Sequence, residues 1–200
     1  MKAGMPLAGA GQKIGLLGGS FDPPHAGHVH LTKVALKRFG LDRVWWLVSP
    51  GNPLKSEGPA TVQRRLLAAR QIMDDPRVEV TDLESRLNTR FTAETLEQLQ
   101  RIYPSVRFSW LMGGDNLASV HRWERWPSIF ATVPVGVLAR PGTPIWARTA
   151  YAARLFRAKR LPSSHSHLLG GASAPCWCYL RMPLRAISSS EIRAKGGWVR

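Results

Sequence analysis

Acidic residues are scarce in this chain: 13 Asp and Glu stand against 28 Lys and Arg, for a formal net charge of +15. That balance points to polyanionic partners such as nucleic acid, an anionic membrane or phosphorylated small molecules. Arginine-rich composition spread over solvated faces gives the same count. The basic residues are scattered, densest over residues 148–160, so nucleic acid is not expected as a main partner. Long apolar runs are missing too. None reaches the ~18 residues of a membrane span, so no membrane partner is expected. Residues 1–12 lack the apolar core of a signal peptide. They read as a flexible N-terminal tail ahead of one domain over residues 13–200, and the protein reads as cytoplasmic. Cysteine is limited to Cys176 and Cys178, in Cys-Trp-Cys. Alternation along a strand puts both thiols on one face. A metal site needs more ligands than this, and CxC lacks the spacing of a redox CxxC, so both read as packing residues. GxxxxGK[ST], HExxH and GxSxG are absent, which argues against a Walker-type NTPase, a zincin and a serine hydrolase.

What is present suits a single α/β domain: 200 residues, 44% of them hydrophobic. Apolar runs over residues 14–17, 44–48, 78–80, 106–112, 133–138 and 176–180 read as strands. Helical spacing joins Val62, Leu66, Ala69 and Met73, and predicts helices over residues 29–39, 92–102 and 145–159. A short helical turn is expected over 127–131, and a helix start at Ser189. Residues 49–59 and 162–175 read as loops. Strands alternating with helices imply βαβ units and a parallel sheet. Ligands then bind at the strands' C-terminal ends, near the point where strand order reverses.

The most informative run is Gly18-Gly19-Ser20-Phe21-Asp22-Pro23-Pro24-His25-Ala26-Gly27-His28. It links the first strand to the first helix. A glycine pair there lets backbone N–H groups approach a phosphate. His25 and His28 share a face if both lie in the first helical turn. Two imidazoles beside bare helix N–H groups suit an anion that gains charge during reaction. Gly27 leaves room between them. Taken singly, Gly-Gly is an ordinary turn and the histidines ordinary surface or core residues; their conjunction points to chemistry.

Other segments carry weaker signals. In Ile187-Ser188-Ser189-Ser190-Glu191-Ile192-Arg193 the hydroxyls can cap a helix or bind phosphate oxygens. Arg193 offers a fork of donors. Gly113-Gly114-Asp115 after a strand is a turn with an N-capping Asp, or a nucleotide-side element. Trp123 and Trp126 are packing residues or a ligand platform, and Lys55 a surface or phosphate-facing cation.

The long run resembles the HxGH signature of the nucleotidylyltransferase superfamily. Its GGSFDPPHxGH form is similar to that of the bacterial nicotinate mononucleotide adenylyltransferases. The resemblance covers about residues 13–195 and extends to ISSTxIR, where Ser190 replaces Thr. It includes GxD at Asp115, and SYTxxTL, where Arg90 and Phe91 replace the small residue and Tyr. It reaches PPHK, where Leu54 replaces His. Family members continue for a helical segment after ISSTxIR, which residues 196–200 do not supply.

The resemblance implies a single Rossmann-like doubly wound parallel sheet flanked by helices. It implies transfer of adenylate from ATP to nicotinate mononucleotide, giving deamido-NAD and pyrophosphate, with Mg²⁺ carried by ATP and no protein metal ligand. His25, His28 and Arg193 would be catalytic. Gly18, Gly19, Ser20, Phe21, Asp115, Ile187, Ser188, Ser189 and Ser190 would line ATP with them. Lys55, Thr92 and Trp123 would hold the mononucleotide, Trp123 by stacking on the pyridine ring. Nicotinamide mononucleotide, phosphopantetheine and FMN are the alternative acceptors. A basic nucleic-acid-binding module without catalysis is the alternative of another class. Oligomeric state is not legible.

Overall fold

The computed structural model describes residues 4–51, 58–139, 149–182 and 187–198. Among them, seven strands form one sheet: β1 (Lys13–Gly19), β2 (Arg43–Val48), β3 (Val78–Thr81), β4 (Arg107–Gly113), β5 (Val135–Ala139), β6 (Arg160–Leu161) and β7 (Trp177–Arg181). All pairings are parallel, in the order β3-β2-β1-β4-β5-β7-β6. This is the expected α/β class.

Alternation along the strands divides the apolar residues between two faces. Ile14, Leu16, Trp45, Leu47 and Trp110 enter one core; Leu17, Trp46, Val48 and Leu111 enter the other. Both faces must be covered, because a parallel sheet is apolar on each. Helix α1 (Ala26–Arg38) covers the Trp46 face with Leu31, Ala35 and Leu36. Helix α2 (Val62–Ile72) adds Leu66 and Ala69 there. The opposite face takes α3 (Leu83–Leu87), α4 (Thr92–Ile102), α5 (Gly114–Ser119), α6 (Trp126–Thr132) and α7 (Tyr151–Leu155). The last helix is α8 (Ser189–Ala194).

Three expectations need correction. The N-terminal tail is docked over residues 4–12: Pro6 is buried, and Tyr103 donates its hydroxyl hydrogen to the Pro6 carbonyl at 2.7 Å. The single helix expected over 145–159 is, over its described part, α7 followed by a 3₁₀ turn at Arg157–Lys159. It breaks at Phe156, whose carbonyl accepts Trp177 Nε1–H at 2.8 Å. The loop expected over 162–175 contains a 3₁₀ stretch, Ser163–Gly171. Tertiary contacts hold it: Leu169 is fully buried, and Gly170 N–H donates to the Phe39 carbonyl at 2.9 Å.

Cys178 is buried in the Trp46-side core and Cys176 packs against the same core, so the two do share a face. Both thiols are free, and burial pushes that of Cys178 up to about 11. No helix among the described residues is long and apolar enough to cross a membrane. Chain order reverses between β1 and β4, which lie side by side in the middle of the sheet. Their C-terminal ends open the crevice where α/β sheets bind ligands.

Candidate active site

A cavity of about 530 Å³ occupies that crevice. Gly18 and Gly19 at the end of β1 form its floor, with Gly113 at the end of β4. Gly18 is required by close approach: a Cβ there would lie 2.4 Å from the Trp110 ring, which lines the same cavity. Phe21 is held at φ +46°, in the left-handed region. The strain, roughly 1–2 kcal/mol, is opposed by packing, for Phe21 is buried and stacks on Trp46 at 4.8 Å.

The two histidines are locked by the helix they start. His25 is the N-cap of α1 and His28 its third residue. Gly27 N–H donates to His25 Nδ1 at 3.1 Å, and His25 N–H donates to His28 Nδ1 at 3.2 Å. Of the N–H groups expected to be bare, that of Gly27 is instead capped by the His25 imidazole, and the N-cap's own N–H by that of His28. With each Nδ1 accepting, each neutral ring carries its hydrogen on Nε2. The rings lie 3.9 Å apart, centroid to centroid, and both line the cavity.

Around this centre the cavity wall includes Ser20, Phe21, Thr92, Asp115, Trp123, Ser188, Ser189 and Ser190. Asp115 does not cap α5; Gly113 occupies the N-cap. The Asp115 carboxylate folds over Gly113, where a Cβ would lie 2.3 Å from its Oδ1. Thr92 opens α4 behind Phe91, whose side chain makes no cap bond. Ser188 caps α8 reciprocally with Glu191, at 3.2 and 2.9 Å. Ser189 Oγ–H donates to the Pro23 carbonyl at 2.9 Å. Ile187 and Arg193 are not among the residues lining the cavity. The Arg193 guanidinium donates to the Asp22 carbonyl and to Ser190 Oγ, the latter at 3.3 Å. Lys55 lies outside the described residues.

Three residues at the site were not singled out from the sequence. Arg65 is 1% exposed and clamps the loops behind the histidines. It donates to the carbonyls of Ala60 (2.6 Å), Ser20 (2.7 Å), Ser49 (2.7 Å) and Pro50 (3.3 Å). Burial lowers its pKa, with the Asp22 charge opposing. Its signal was a charge set one residue before Leu66 on the apolar seam of α2. Glu84 lines the cavity with its carboxyl buried, and desolvation raises its pKa to about 7. Trp198 reaches back to Asp22, with no local signal beyond a tryptophan after two glycines.

The sequence pattern of the cytidylyltransferase-like family matches residues 16–195. A Ruegeria pomeroyi protein named "Probable nicotinate-nucleotide adenylyltransferase" is 61% identical over 99% of this chain and 93% of its own length. The chain belongs to this family. A Roseobacter denitrificans nicotinate-nucleotide adenylyltransferase family member, also named as probable, is 59% identical over the whole of both chains. The fold matches the Plasmodium falciparum nicotinic acid mononucleotide adenylyltransferase, solved in complex with NaAD. The TM-score is 0.69 at 19% identity, over 92% of this chain and 83% of that one. In this adenylyltransferase-family chain the HxGH histidines thus sit at the crevice of a fold shared with distant members.

Proposed function

We propose that this chain joins nicotinate mononucleotide and ATP, giving deamido-NAD and pyrophosphate, in NAD biosynthesis. The observation that carries the reading is the pair of cap-locked imidazoles in the crevice where strand order reverses. Relatives near 60% identity that bear this activity in their names support it.

A phosphate oxygen of the mononucleotide attacks the α-phosphorus of ATP in line. The bond to the oxygen bridging the α- and β-phosphates breaks, and its electron pair leaves with pyrophosphate. No protein nucleophile is required, because the attacking phosphate is ionised near neutral pH. Catalysis is alignment plus charge stabilisation. His25 and His28 donate from Nε2 to phosphate oxygens as charge builds on the bridging oxygen. The backbone of Gly18, Gly19, Ser20 and Phe21 lines the nucleotide, with Asp115 beside it and Ile187 leading into the serines of α8. Ser188, Ser189 and Ser190 face the triphosphate, with Arg193 set behind them on the Asp22 carbonyl and Ser190 Oγ, and Lys55 is assigned to a substrate phosphate.

Trp123 presents its ring to the electron-poor pyridine. Thr92 meets the nicotinate carboxylate at the start of α4, where the macrodipole favours an anion. Mg²⁺ enters as part of the ATP substrate, held mainly by phosphates and water; Asp115 is a carboxylate on the same wall. A cytoplasmic location fits these substrates.

Pyrophosphate release from Mg·ATP tests the reading, with nicotinate mononucleotide, nicotinamide mononucleotide, phosphopantetheine or FMN as acceptor. Preference for the nicotinate form is expected. Release with another acceptor replaces the substrate and keeps the mechanism. No release, together with salt-dependent binding to random duplex, overturns the enzyme reading.

A further inference from the structure

Helix α8 brings Ser188, Ser189 and Ser190 to the cavity, yet none of its residues is buried. Six residues without an apolar face do not hold a helix in place, since an isolated helix of this length is unstable in water. Polar ties must position it. Two come from α8 itself: Ser189 Oγ–H to the Pro23 carbonyl and Arg193 to the Asp22 carbonyl. The third comes from beyond it. Trp198 Nε1–H donates to Asp22 Oδ1 at 2.7 Å, across 176 residues of chain. The same oxygen accepts Ala60 N–H at 3.2 Å. Asp22 is 2% exposed, so its carboxylate has little water to turn to. With Oδ1 fixed, Oδ2 lies 3.8 Å from Arg193 Nη1. The indole is in turn covered by the Arg64 guanidinium, 4.4 Å from the ring centroid.

We propose that Trp198 is a positioning residue for ATP: through Asp22 it holds Arg193, and through Arg193 it sets the serine-bearing start of α8 against the triphosphate. The proposal rests on the adenylyltransferase reading given above and assigns a role on its ATP side alone. Trp198 is not among the residues lining the cavity, and its hydrogen bond and ring contact go to Asp22 and Arg64, so its influence is expected on the α8 side. The hydrogen bond carries the effect: a ring without its N–H would stack under Arg64 and leave Asp22 Oδ1 with the weaker 3.2 Å bond from Ala60 N–H but without the 2.7 Å indole donor.

Calorimetric titration of the full chain with Mg·ATP and, separately, with nicotinate mononucleotide tests this in wild type, Trp198→Phe and Trp198→Ala. Trp198→Phe keeps an aromatic ring under Arg64 and loses only the donor. Both variants are expected to bind Mg·ATP about five- to tenfold more weakly, as loss of one charge-assisted hydrogen bond predicts. Their affinity for the mononucleotide should stay within about twofold, and Trp198→Phe should keep the wild-type melting temperature. Wild-type ATP affinity in Trp198→Phe overturns the proposal. So does equal weakening toward both substrates, which is what a general loosening of the fold would give. A wild-type protein that binds neither substrate overturns the adenylyltransferase reading itself.

Discussion

Gly27 N–H donates to His25 Nδ1 at 3.1 Å, and a Cβ on Gly27 would come within 2.8 Å of that same nitrogen. The glycine thus supplies both the bond that orients the ring and the space the ring occupies. Gly27→Ala should tilt the imidazole off its cap. Loss of an N-cap costs about 1 kcal/mol, so the fold should survive. Misplacing a transition-state donor by an ångström costs on the order of 10²-fold. Steady-state pyrophosphate release and a thermal melt together check this. Wild-type kcat in a folded Gly27→Ala protein would show that ring placement is not what the glycine secures.

His28 accepts His25 N–H and lies tilted against the His25 ring, so its removal affects both rings. His28→Ala deletes one Nε2 donor and loosens the other. The expected loss is about 10²-fold or more in kcat, the range for a missing transition-state donor. The change in KM should be small, because the interaction matters most as charge develops. A variant with nearly normal kcat removes His28 from the assigned role.

Contiguous features were the legible ones. The run from Gly18 to His28 lies in one stretch of chain, so its chemistry could be read before its geometry. Helix α4 was legible to both ends, Thr92–Ile102, because Leu96 and Leu99 mark its buried face. Helix α3 was missed: five residues hold too few apolar repeats to set a period. The 3₁₀ stretch Ser163–Gly171 was missed because it is held by burial of Leu169 and a backbone bond from Gly170 to Phe39, a partner distant in sequence. Arg65 went unread because periodicity counts apolar residues and passes over a charge on the buried seam. The Trp198–Asp22 bond has no local signature at all, since neither partner announces the other across the chain.

Arg65 is buried and donates to four carbonyls from three segments of the loops around the site. Removing it strands those carbonyls and deprives the buried Asp22 carboxylate of a nearby cation. Arg65→Met should lower unfolding free energy by about 3–5 kcal/mol. Arg65→Lys should recover little, because an ammonium gathers its three donors at one point and cannot span the four acceptors. Urea denaturation with an unchanged slope is the check. A loss within about 1 kcal/mol for Arg65→Met would show that water satisfies those carbonyls instead.

Glu84 gives the site a pH dependence of known sign. Its carboxyl is buried at the cavity wall, and desolvation raises its pKa from the ordinary 4.5 to about 7. The unfolded chain releases this proton near 4.5, while the folded protein keeps it to about 7. Stability from this group is therefore full below the unfolded value and is lost as pH rises through the folded one. The shift corresponds to roughly 3 kcal/mol. Glu84→Gln keeps the shape and cannot ionise. Its unfolding free energy relative to wild type should therefore climb between the unfolded value of 4.5 and the folded value of about 7, by an amount of that order, and level off above. Parallel stability curves for the two proteins would mean that Glu84 is solvated through the cavity and ionises as an exposed carboxyl does.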